Sequence, residues 1–434
     1  MTKYIDRPSR MRLVACHACG LIHSLPELPG GTSAICTRCG TVLLRQSVDG
    51  ITRSFALNLA ALLLFGVANT FPLMTMKLAG QAQTSTLLEG VVALYRGGVW
   101  PLAGLVLLVA IVFPFVRILG SLWVLGMLQL GWRNWSLVPM FRLTEILRPW
   151  AMTEVYLLGL IVAWVKLRDL ATLHLDVALF AFIIFILIMI WAGSALHSHE
   201  VWDRIAPQVR ARRDGAASSR SYLACHGCGQ LVHKADLPLA AHSLRLVCPR
   251  CRSALHERKP ESLARAWALL IAAAILYIPA NLYPVMKLTS LGQTEPDTII
   301  SGVKTMIVVG MWPIALLVFF ASITVPVLKI IGLAYLLLSV QRRSSYRRRD
   351  RTKMYRVIES VGRWSMVDIF MISILVALVN LGTIATFEPG IGAVAFASVV
   401  VLTMFAAMAF DPRLIWDAGD HGHDDAAFHK ISRR

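Results

Sequence analysis

The sequence predicts a mainly α-helical, polytopic membrane protein with eight transmembrane helices in two tandem four-helix modules, each behind a small cysteine-bearing module. Composition is the first reason: 56% of the 434 residues are hydrophobic and only 16% are charged, which is typical of chains with several spans. The second reason is that apolar runs long enough to cross a bilayer recur along the chain. The third is an internal repeat.

Residues 100–120 (WPLAGLVLLVAIVFPFVRILG) and 312–332 (WPIALLVFFASITVPVLKIIG) match each other at a distance of 212 positions. The matching landmarks are Trp100 and Trp312, Pro101 and Pro313, Pro114 and Pro326, Arg117 and Lys329, and Gly120 and Gly332. Four spans return the chain to its starting side before the second copy begins. The duplication is therefore parallel, unlike the inverted repeats of many transporters.

All eight cysteines fall into four C-x-x-C pairs, two ahead of each set of spans. They are Cys16 and Cys19, Cys36 and Cys39, Cys225 and Cys228, and Cys248 and Cys251. Two such pairs place four thiolates around one tetrahedral ion, and a small β module with little core needs that ion to fold. We predict two zinc ribbons with one structural zinc ion each. Rubredoxin-like iron and thioredoxin-like redox pairs are the alternatives, whereas structural disulfides do not suit a reducing cytoplasm.

Four histidines lie within or just after the cysteine pairs. They are His17, His23, His226 and His233. Because each ribbon already offers four thiolates, we predict that these histidines are bystanders.

These patterns divide the chain into six parts. We predict a ribbon and tail over 1–53, a first four-helix module over 54–198, a linker over 199–221, a second ribbon over 222–260, a second four-helix module over 261–410 and a tail over 411–434, disordered from Ala418. Spans are predicted at about 55–76, 100–130, 150–166 and 175–197, and again at about 266–286, 311–340, 364–387 and 393–410. The second span of each copy is longer than the bilayer core, so Pro114 and Pro326 predict bends.

Leucines and valines at helical spacing predict a short amphipathic helix outside the membrane before Gly97.

Lysine and arginine counts predict the topology, because short cytoplasmic loops retain positive charge. Residues 1–53, 130–148, 197–265 and 342–356 carry seven, three, twelve and eight, whereas 77–98, 166–174, 287–310 and 380–390 carry two, two, two and none. Both termini, both ribbons and the linker are thus predicted to be cytoplasmic. No cleavable signal peptide is expected, since a polar region precedes the first apolar run. The net charge of +18 lies in these loops and indicates topology, not nucleic-acid binding.

Ionisable side chains inside spans are the candidate functional residues, because each costs about 2.5–3.5 kcal/mol to insert and needs a partner or a wet interior. Lys329 and Asp368 lie at similar predicted depth in spans six and seven, so we predict an ion pair. One interpretation is that this pair only locks two helices together.

The functional interpretation is a polar-lined cavity around that pair. Pro326 removes a backbone hydrogen bond beside Lys329. The hydroxyl groups of Ser322, Ser365 and Thr403 would extend the polar lining.

The first copy carries related charges. Arg117 and Glu154 occupy the positions of Lys329 and Asp368 with the same signs. Lys166 and Asp169 close the third span in the first copy only, where they would receive a headgroup, dock a partner or simply snorkel to water.

Several catalytic motifs are absent from the sequence. It contains no G-x-x-x-x-G-K-[ST] phosphate loop, no H-E-x-x-H and no nucleophile elbow. We therefore expect neither nucleotide hydrolysis nor an enzyme.

The chain resembles the paraquat-inducible protein A family over about 12–417. The resemblance rests on two C-x-x-C ribbons, each followed by four spans, and on V-P-x-x-K at 325–329, G-R-W-S-M-x-D at 362–368 and N-L-x-P at 281–284. It implies a bacterial inner-membrane protein with tetraspanin-type bundles that passes phospholipids or other hydrophobic molecules to or from a periplasmic MCE-domain tunnel. Lys329, Asp368, Ser322, Ser365 and Thr403 match the polar track of the family's second module. Lys166 and Asp169 match the charged end of span three, but the first copy departs from the G-R-W-S-M-x-D motif.

Three functional hypotheses follow. The first is a lipid transport subunit that uses the polar cavity of the second module. The second is a zinc- or redox-responsive membrane sensor, motivated by the paired ribbons. The third is an ion-coupled carrier in which Lys329 and Asp368 relay protons.

Overall fold

A computed structural model of the protein describes residues 12–26, 28–47, 49–78, 81–132, 136–167, 172–206, 221–236, 246–290, 293–308, 310–379 and 385–417. These residues form sixteen α-helices and twelve β-strands. The predicted tail from Ala418 and the predicted loop residue Asp169 lie outside these ranges.

The first copy begins with two hairpins and continues into a helical bundle. Its elements are β1 (Arg12–Ala15), β2 (Ile22–Leu25), β3 (Ser33–Ile35), β4 (Val42–Arg45), α1 (Gly50–Thr70), β5 (Met74–Leu78), β6 (Gln81–Ser85), α2 (Leu87–Arg96), α3 (Trp100–Val106), α4 (Phe113–Gln129), α5 (Leu137–Leu147), α6 (Thr153–Leu167), β7 (Thr172–Leu175), α7 (Val177–Ala195) and α8 (Ser198–Ile205). The predicted amphipathic helix is α2. It begins at a capping box in which Thr86 and Glu89 satisfy each other's backbone N–H groups.

The second copy repeats this order, except that an isolated bridge between Val247 and Ala254 takes the place of the second hairpin. Its elements are β8 (Tyr222–Ala224), β9 (Leu231–His233), α9 (Ser262–Leu282), β10 (Met286–Ser290), β11 (Gln293–Asp297), α10 (Ile299–Val308), α11 (Trp312–Phe319), α12 (Val325–Gln341), α13 (Arg348–Gly362), α14 (Val367–Leu378), β12 (Ala385–Pro389), α15 (Ile391–Ala409) and α16 (Leu414–Asp417). A 3₁₀ turn over Arg363–Met366 joins α13 to α14.

Each bundle carries a small antiparallel sheet that the sequence did not reveal. In the first copy β5 pairs with β6 and β7, with Met74 opposite Ser85 on one side and Leu175 on the other. In the second copy β10 pairs with β11 and β12 in the same arrangement. The third strand of each sheet comes from a distant part of the chain. Local patterns therefore indicated only polar loops.

Seven helical stretches of the described chain are long and apolar enough to cross a membrane. They are Gly50–Thr70, Trp100–Gln129, Val177–Ala195, Ser262–Leu282, Ala315–Gln341, Arg348–Leu378 and Ile391–Ala409. The predicted third span corresponds to α6, whose 15 residues extend only about 22 Å. The count of eight spans therefore stays a prediction.

A π-helical segment precedes the central proline of both long helices. Leu107–Val112 is π-helical just before Pro114, and Phe320–Thr324 is π-helical just before Pro326. Proline has no N–H, and its ring collides with the carbonyl group four residues earlier, so wider i→i+5 bonding relieves both problems. A π segment thus lies at the same place in each copy, and the bends at Pro114 and Pro326 stay a prediction.

The two bundles meet where α6 packs against α14. Every residue of α14 is buried, and the rings of Tyr156 and Phe370 lie 5.3 Å apart across this contact. The backbones come close at Gly159, where an added Cβ would lie 2.9 Å from Phe370 Cβ and 3.2 Å from Met371 N. A short pair of helices thus forms the centre of a core shared by both copies.

Candidate functional site

The described chain contains two buried groups of four cysteines. In the first, Sγ distances are 3.5 Å between Cys16 and Cys39 and 3.6 Å between Cys19 and Cys36. In the second they are 3.4 Å between Cys225 and Cys251 and 3.7 Å between Cys228 and Cys248. All four Sγ atoms in each group lie within 4.8 Å of one another.

These distances fit a tetrahedral metal centre. With Zn–S bonds of about 2.3 Å, the ligand sulfurs of a tetrahedral site are about 3.8 Å apart. A disulfide needs about 2.05 Å between sulfurs, which is much shorter than any of these pairs. The eight cysteines are therefore well placed to hold two metal ions, and four sulfur ligands suit zinc or iron.

In each centre, hydrogen bonding between neighbouring thiols lowers the pKa of two cysteines and raises the pKa of the other two. Hydrogen bonds from Cys16 and Cys19 lower the pKa of Cys39 to about 6. Those from Cys225 and Cys228 lower the pKa of Cys248 to about 7. Thiolate is the form that binds metal.

His23 is closer to the first centre than predicted. Its side chain is buried, and Nε2 lies 3.3 Å from Cys36 Sγ. A ring N–H at this position donates to the sulfur and stabilises its negative charge. His23 is not in the four-cysteine ligand group, so it contacts a ligand sulfur without being one of the four ligands. His17 and His226 are exposed.

The first ribbon packs on the second bundle. Its four cysteines share a hydrophobic cluster with residues of α9, α12, α13 and α15. Arg356 Nη2 on α13 donates a 3.1 Å hydrogen bond to the carbonyl oxygen of Cys39, and it also bonds to Thr41 Oγ1. The guanidinium group of Arg38, between Cys36 and Cys39, lies 4.5 Å from the ring centre of Trp416.

The second ribbon packs on the first bundle. Its cysteines share a cluster with residues of α4, α5 and α8. Arg250, between Cys248 and Cys251, donates to Asp203 Oδ1 at 2.5 Å and to the carbonyl oxygen of Ala206 at 2.8 Å. The ribbons are thus exchanged between the copies, and Asp203 also accepts a bond from Arg12 of the first ribbon at 2.7 Å.

The predicted ion pair between Lys329 and Asp368 is not formed. Both side chains are buried inside the second bundle, with Lys329 2% exposed and Asp368 6% exposed. Lys329 Nζ and Asp368 Oδ2 have no hydrogen-bond partner among the described residues. Their positions in spans six and seven predicted a similar depth in the membrane for the two groups. In the structure, however, the two side chains line different cavities.

Lys329 lines a cavity of about 350 Å³ near the first ribbon, which we call the ribbon-side cavity. Its lining is provided by Arg148, Pro149, Lys329, Arg356, Ile358, Glu359, Ser360, Gly362, Arg363, Thr403, Met404, Ala407 and Met408. The predicted site residue Thr403 therefore lies with Lys329, although its hydroxyl group donates to the carbonyl oxygen of Val400 at 2.9 Å.

Asp368 lines a smaller cavity next to β10 and β11, which we call the sheet-side cavity. Its volume is about 30 Å³, room for about two waters at most, and Ser322 also lines it. Asp297 and Lys166 contribute the other ionisable side chains. Asp297 was missed because it lies at the end of a polar strand, where an acidic residue carries no distinctive signal.

Three buried serine hydroxyl groups lie in the second bundle, and only that of Ser322 belongs to a residue lining one of the two cavities. The Oγ atoms of Ser322, Ser365 and Ser373 are buried and have no hydrogen-bond partner within the described chain. Ser365 lies in the 3₁₀ turn between α13 and α14, three residues before Asp368. Pro326 is buried directly after the π segment that contains Ser322. The predicted polar residues are therefore all inside the second bundle.

The charges of the first copy are arranged differently. Arg117 is half-buried and Glu154 is exposed, and the described chain has no ion pair between them. Lys166, predicted on the outer face of the first module, lines the sheet-side cavity together with Asp297 and Asp368 of the second copy. Asp169 lies outside the described residues. Arg117 and Glu154 therefore carry the same charges as Lys329 and Asp368 but lie in different surroundings.

Comparison with known proteins identifies relatives along nearly the whole chain. The chain is 34% identical over 410 residues to "Intermembrane transport protein PqiA" of Escherichia coli K12, covering 93% of this chain and 95% of that protein. It is 32% identical over 411 residues to "Lipophilic envelope-spanning tunnel protein A" of the same strain, covering 94% and 92%. It is 29% identical over 422 residues to "Probable intermembrane transport protein" of Haemophilus influenzae, covering 96% and 99%.

No solved structure matches the chain. The family model "Paraquat-inducible protein A" matches residues 51–206 and 263–420, one match in each copy. These matches include both bundles and all the described residues of the two cavities. The chain therefore belongs to the paraquat-inducible protein A family.

Proposed function

We propose that this chain is the inner-membrane subunit of an intermembrane lipid transport system. Relatives that align along nearly their full length are named an intermembrane transport protein and a lipophilic envelope-spanning tunnel protein. Those names describe movement of apolar molecules between membranes. The described chain supplies apolar helices long enough for an integral membrane position.

One observation carries the proposal. The second bundle has two cavities and several buried polar groups without a partner in the described chain, with Lys329 lining one cavity and Asp368 the other. An unpaired ammonium or carboxylate inside a membrane protein is costly, so its retention indicates a ligand or a wet path. A purely structural role would have paired the two groups directly.

The orientation of the path follows from charge. Loops on the ribbon side carry most of the lysine and arginine residues, which supports a cytoplasmic location for the ribbon-side cavity. The two small sheets would then face the periplasm. We propose that this face hands lipid to, or takes it from, a periplasmic MCE-domain partner.

Photo-crosslinking tests the lipid path. A photoreactive amino acid at Ser322 or Thr403 should capture phospholipid in native membranes, because the proposed lipid path passes both residues and the sheet-side cavity must widen as lipid enters it. The matched control is a photoreactive residue at Ser398, a partly buried α15 hydroxyl that donates to Val394 O at 2.9 Å. Capture at none of the cavity positions would argue strongly against the proposal.

A second candidate function is proton coupling. It is favoured by the absence of a direct ion pair, since Lys329 Nζ, Asp368 Oδ2 and Ser365 Oγ are all buried in the second bundle without a hydrogen-bond partner among the described residues. Waters could then connect the groups and move protons. The measurement is lipid transfer in vesicles with an imposed pH gradient. Transfer that is the same with and without the gradient would remove this candidate.

A further inference from the structure

The ribbon-side cavity is positively charged. Lys329, Arg148, Arg356 and Arg363 line it, whereas Glu359 is the one carboxylate in its lining. Lys329 enters from α12, Arg356 from α13 and Arg148 from the end of α5. Cations from separate elements and from both copies thus converge on one space of about 350 Å³.

Two of these cationic side chains each have a buried hydrogen-bond donor that lacks an acceptor in the described chain. Lys329 Nζ and Arg356 Nε are both buried without a hydrogen-bond partner in the described part of the chain. Arg356 is held in place by its other nitrogen, Nη2, which donates to the carbonyl oxygen of Cys39 at 3.1 Å. The docked ribbon therefore fixes Arg356, whose side chain lines the cavity and whose buried Nε has no partner within the described chain.

The remaining cations are more accessible. Arg363 and Arg148 are exposed at the cavity, and Arg148 has only a distant contact with Glu145 at 3.9 Å. Such a gradient, from exposed arginines to a buried lysine, suits an anion that enters from water or from the headgroup layer. Met404 and Ala407 supply an apolar part of the same lining.

We propose that the ribbon-side cavity binds the phosphate group of an anionic phospholipid from the cytoplasmic leaflet. The phosphate oxygens would accept from Lys329 Nζ and Arg356 Nε, and the glycerol end would lie against Met404 and Ala407. Four cations against one carboxylate favour a net negative headgroup over a zwitterionic one. This inference rests on the proposed lipid transport for the source of the phosphate, whereas the phosphate chemistry rests on the cavity alone.

Native mass spectrometry of the purified, delipidated full chain tests the site. Phosphatidylglycerol, phosphatidylethanolamine and inorganic phosphate are titrated separately. Wild-type protein should bind phosphatidylglycerol most tightly. Lys329→Gln should weaken that binding about tenfold or more, as expected when a charge-assisted bond to a buried anion is lost. Inorganic phosphate in excess should compete only weakly.

Two further variants keep the test decisive if Lys329→Gln fails to fold. Arg363→Gln changes an exposed side chain of the cavity and should weaken phosphatidylglycerol binding several-fold. Arg342→Gln removes the same charge from an exposed position outside the cavity lining and should leave binding unchanged.

Three results would overturn the inference. They are equal binding by all variants, equal binding of phosphatidylglycerol and phosphatidylethanolamine, and complete displacement of lipid by stoichiometric inorganic phosphate, which would identify free phosphate as the ligand. If lipid is nevertheless captured at Ser322, the proposed transport function stands and only this site is lost.

Discussion

Arg356 donates a hydrogen bond to the carbonyl oxygen of Cys39 at 3.1 Å, so a helix of the second copy holds a cysteine-bearing turn of the first ribbon. The reverse contact joins Arg250 of the second ribbon to Asp203 of the first copy. Each ribbon thus precedes one bundle in sequence and packs on the other in space. This exchange links the metal centres to the stability of both bundles.

Asp203→Asn should detach the second ribbon from the first bundle. The side chain of Arg250 is fully buried, so removing its charged partner leaves a poorly compensated cation. Asp203 is itself 35% exposed, and water screening limits the expected loss to about 1–3 kcal/mol. The measurement is thermal unfolding of purified protein. Asp417→Asn is the control, because its pair with Arg258 is exposed on both sides and should cost under about 1 kcal/mol.

Cys36→Ser should remove one of two bound metal ions and loosen the opposite bundle. The predicted metal content falls from about two zinc ions per chain to about one, measured by elemental analysis. Amide hydrogen exchange should then rise in α13, which contacts the first ribbon, and stay unchanged in α5, which packs against the second ribbon.

Cys248→Ser is the matched variant. In this variant, amide hydrogen exchange should rise in α5 and stay unchanged in α13. A rise confined to the bundle that follows each ribbon in sequence would contradict the exchanged arrangement. Wild-type ions that are lost under mild oxidation would instead favour the sensor hypothesis.

Gly159→Val should destabilise the contact between the bundles. A side chain there meets Phe370 Cβ at 2.9 Å and the carbonyl oxygen of Val367 at 3.2 Å, so α6 and α14 must separate. We expect a loss of about 1–3 kcal/mol, seen as a lower unfolding temperature. Gly66→Ala in α1 is the control, since an added Cβ there meets no atom within 4 Å and should be neutral or slightly stabilising.

Asp368→Asn should abolish lipid transfer in reconstituted vesicles while the protein still folds. The carboxylate is buried at the sheet-side cavity with one oxygen unpartnered, so the amide keeps its shape and removes its charge. Glu154→Gln makes the equivalent change in the first copy, where the side chain is exposed, and should transfer lipid normally. Equal loss of lipid transfer in both variants would contradict a specific role for Asp368, because the carboxylate would then matter equally in both copies.

Asp411 should make stability depend on pH at the acidic end. Burial alone would raise the pKa of this carboxyl group, but the hydrogen bonds and charge of Arg413 outweigh burial and lower it. A lowered folded-state pKa contributes stability above the unfolded value of about 3.9, and this stability is lost as pH falls through the folded pKa. The unfolding temperature should drop below about pH 4, whereas Asp411→Asn should be less stable near neutral pH and lose less on acidification.

Local patterns predicted the features that depend on neighbouring residues. The spacing of Cys16, Cys19, Cys36 and Cys39 indicated a four-sulfur centre, and the structure confirms that the four sulfur atoms come together. The repeat around Pro114 and Pro326 indicated two equivalent long helices, and a π segment precedes the proline in both. Each of these features arises within a short stretch of chain.

The sequence by itself determined the duplicated helical architecture and the two cysteine centres, because hydrophobic periodicity and ligand spacing are properties of contiguous residues. Only the tertiary structure decided that Lys329 and Asp368 line separate cavities, that Lys166 joins the second copy, and that the ribbons are exchanged. These relationships join residues from 39 to more than 300 positions apart. Long-range packing selects such contacts, and no local pattern encodes them.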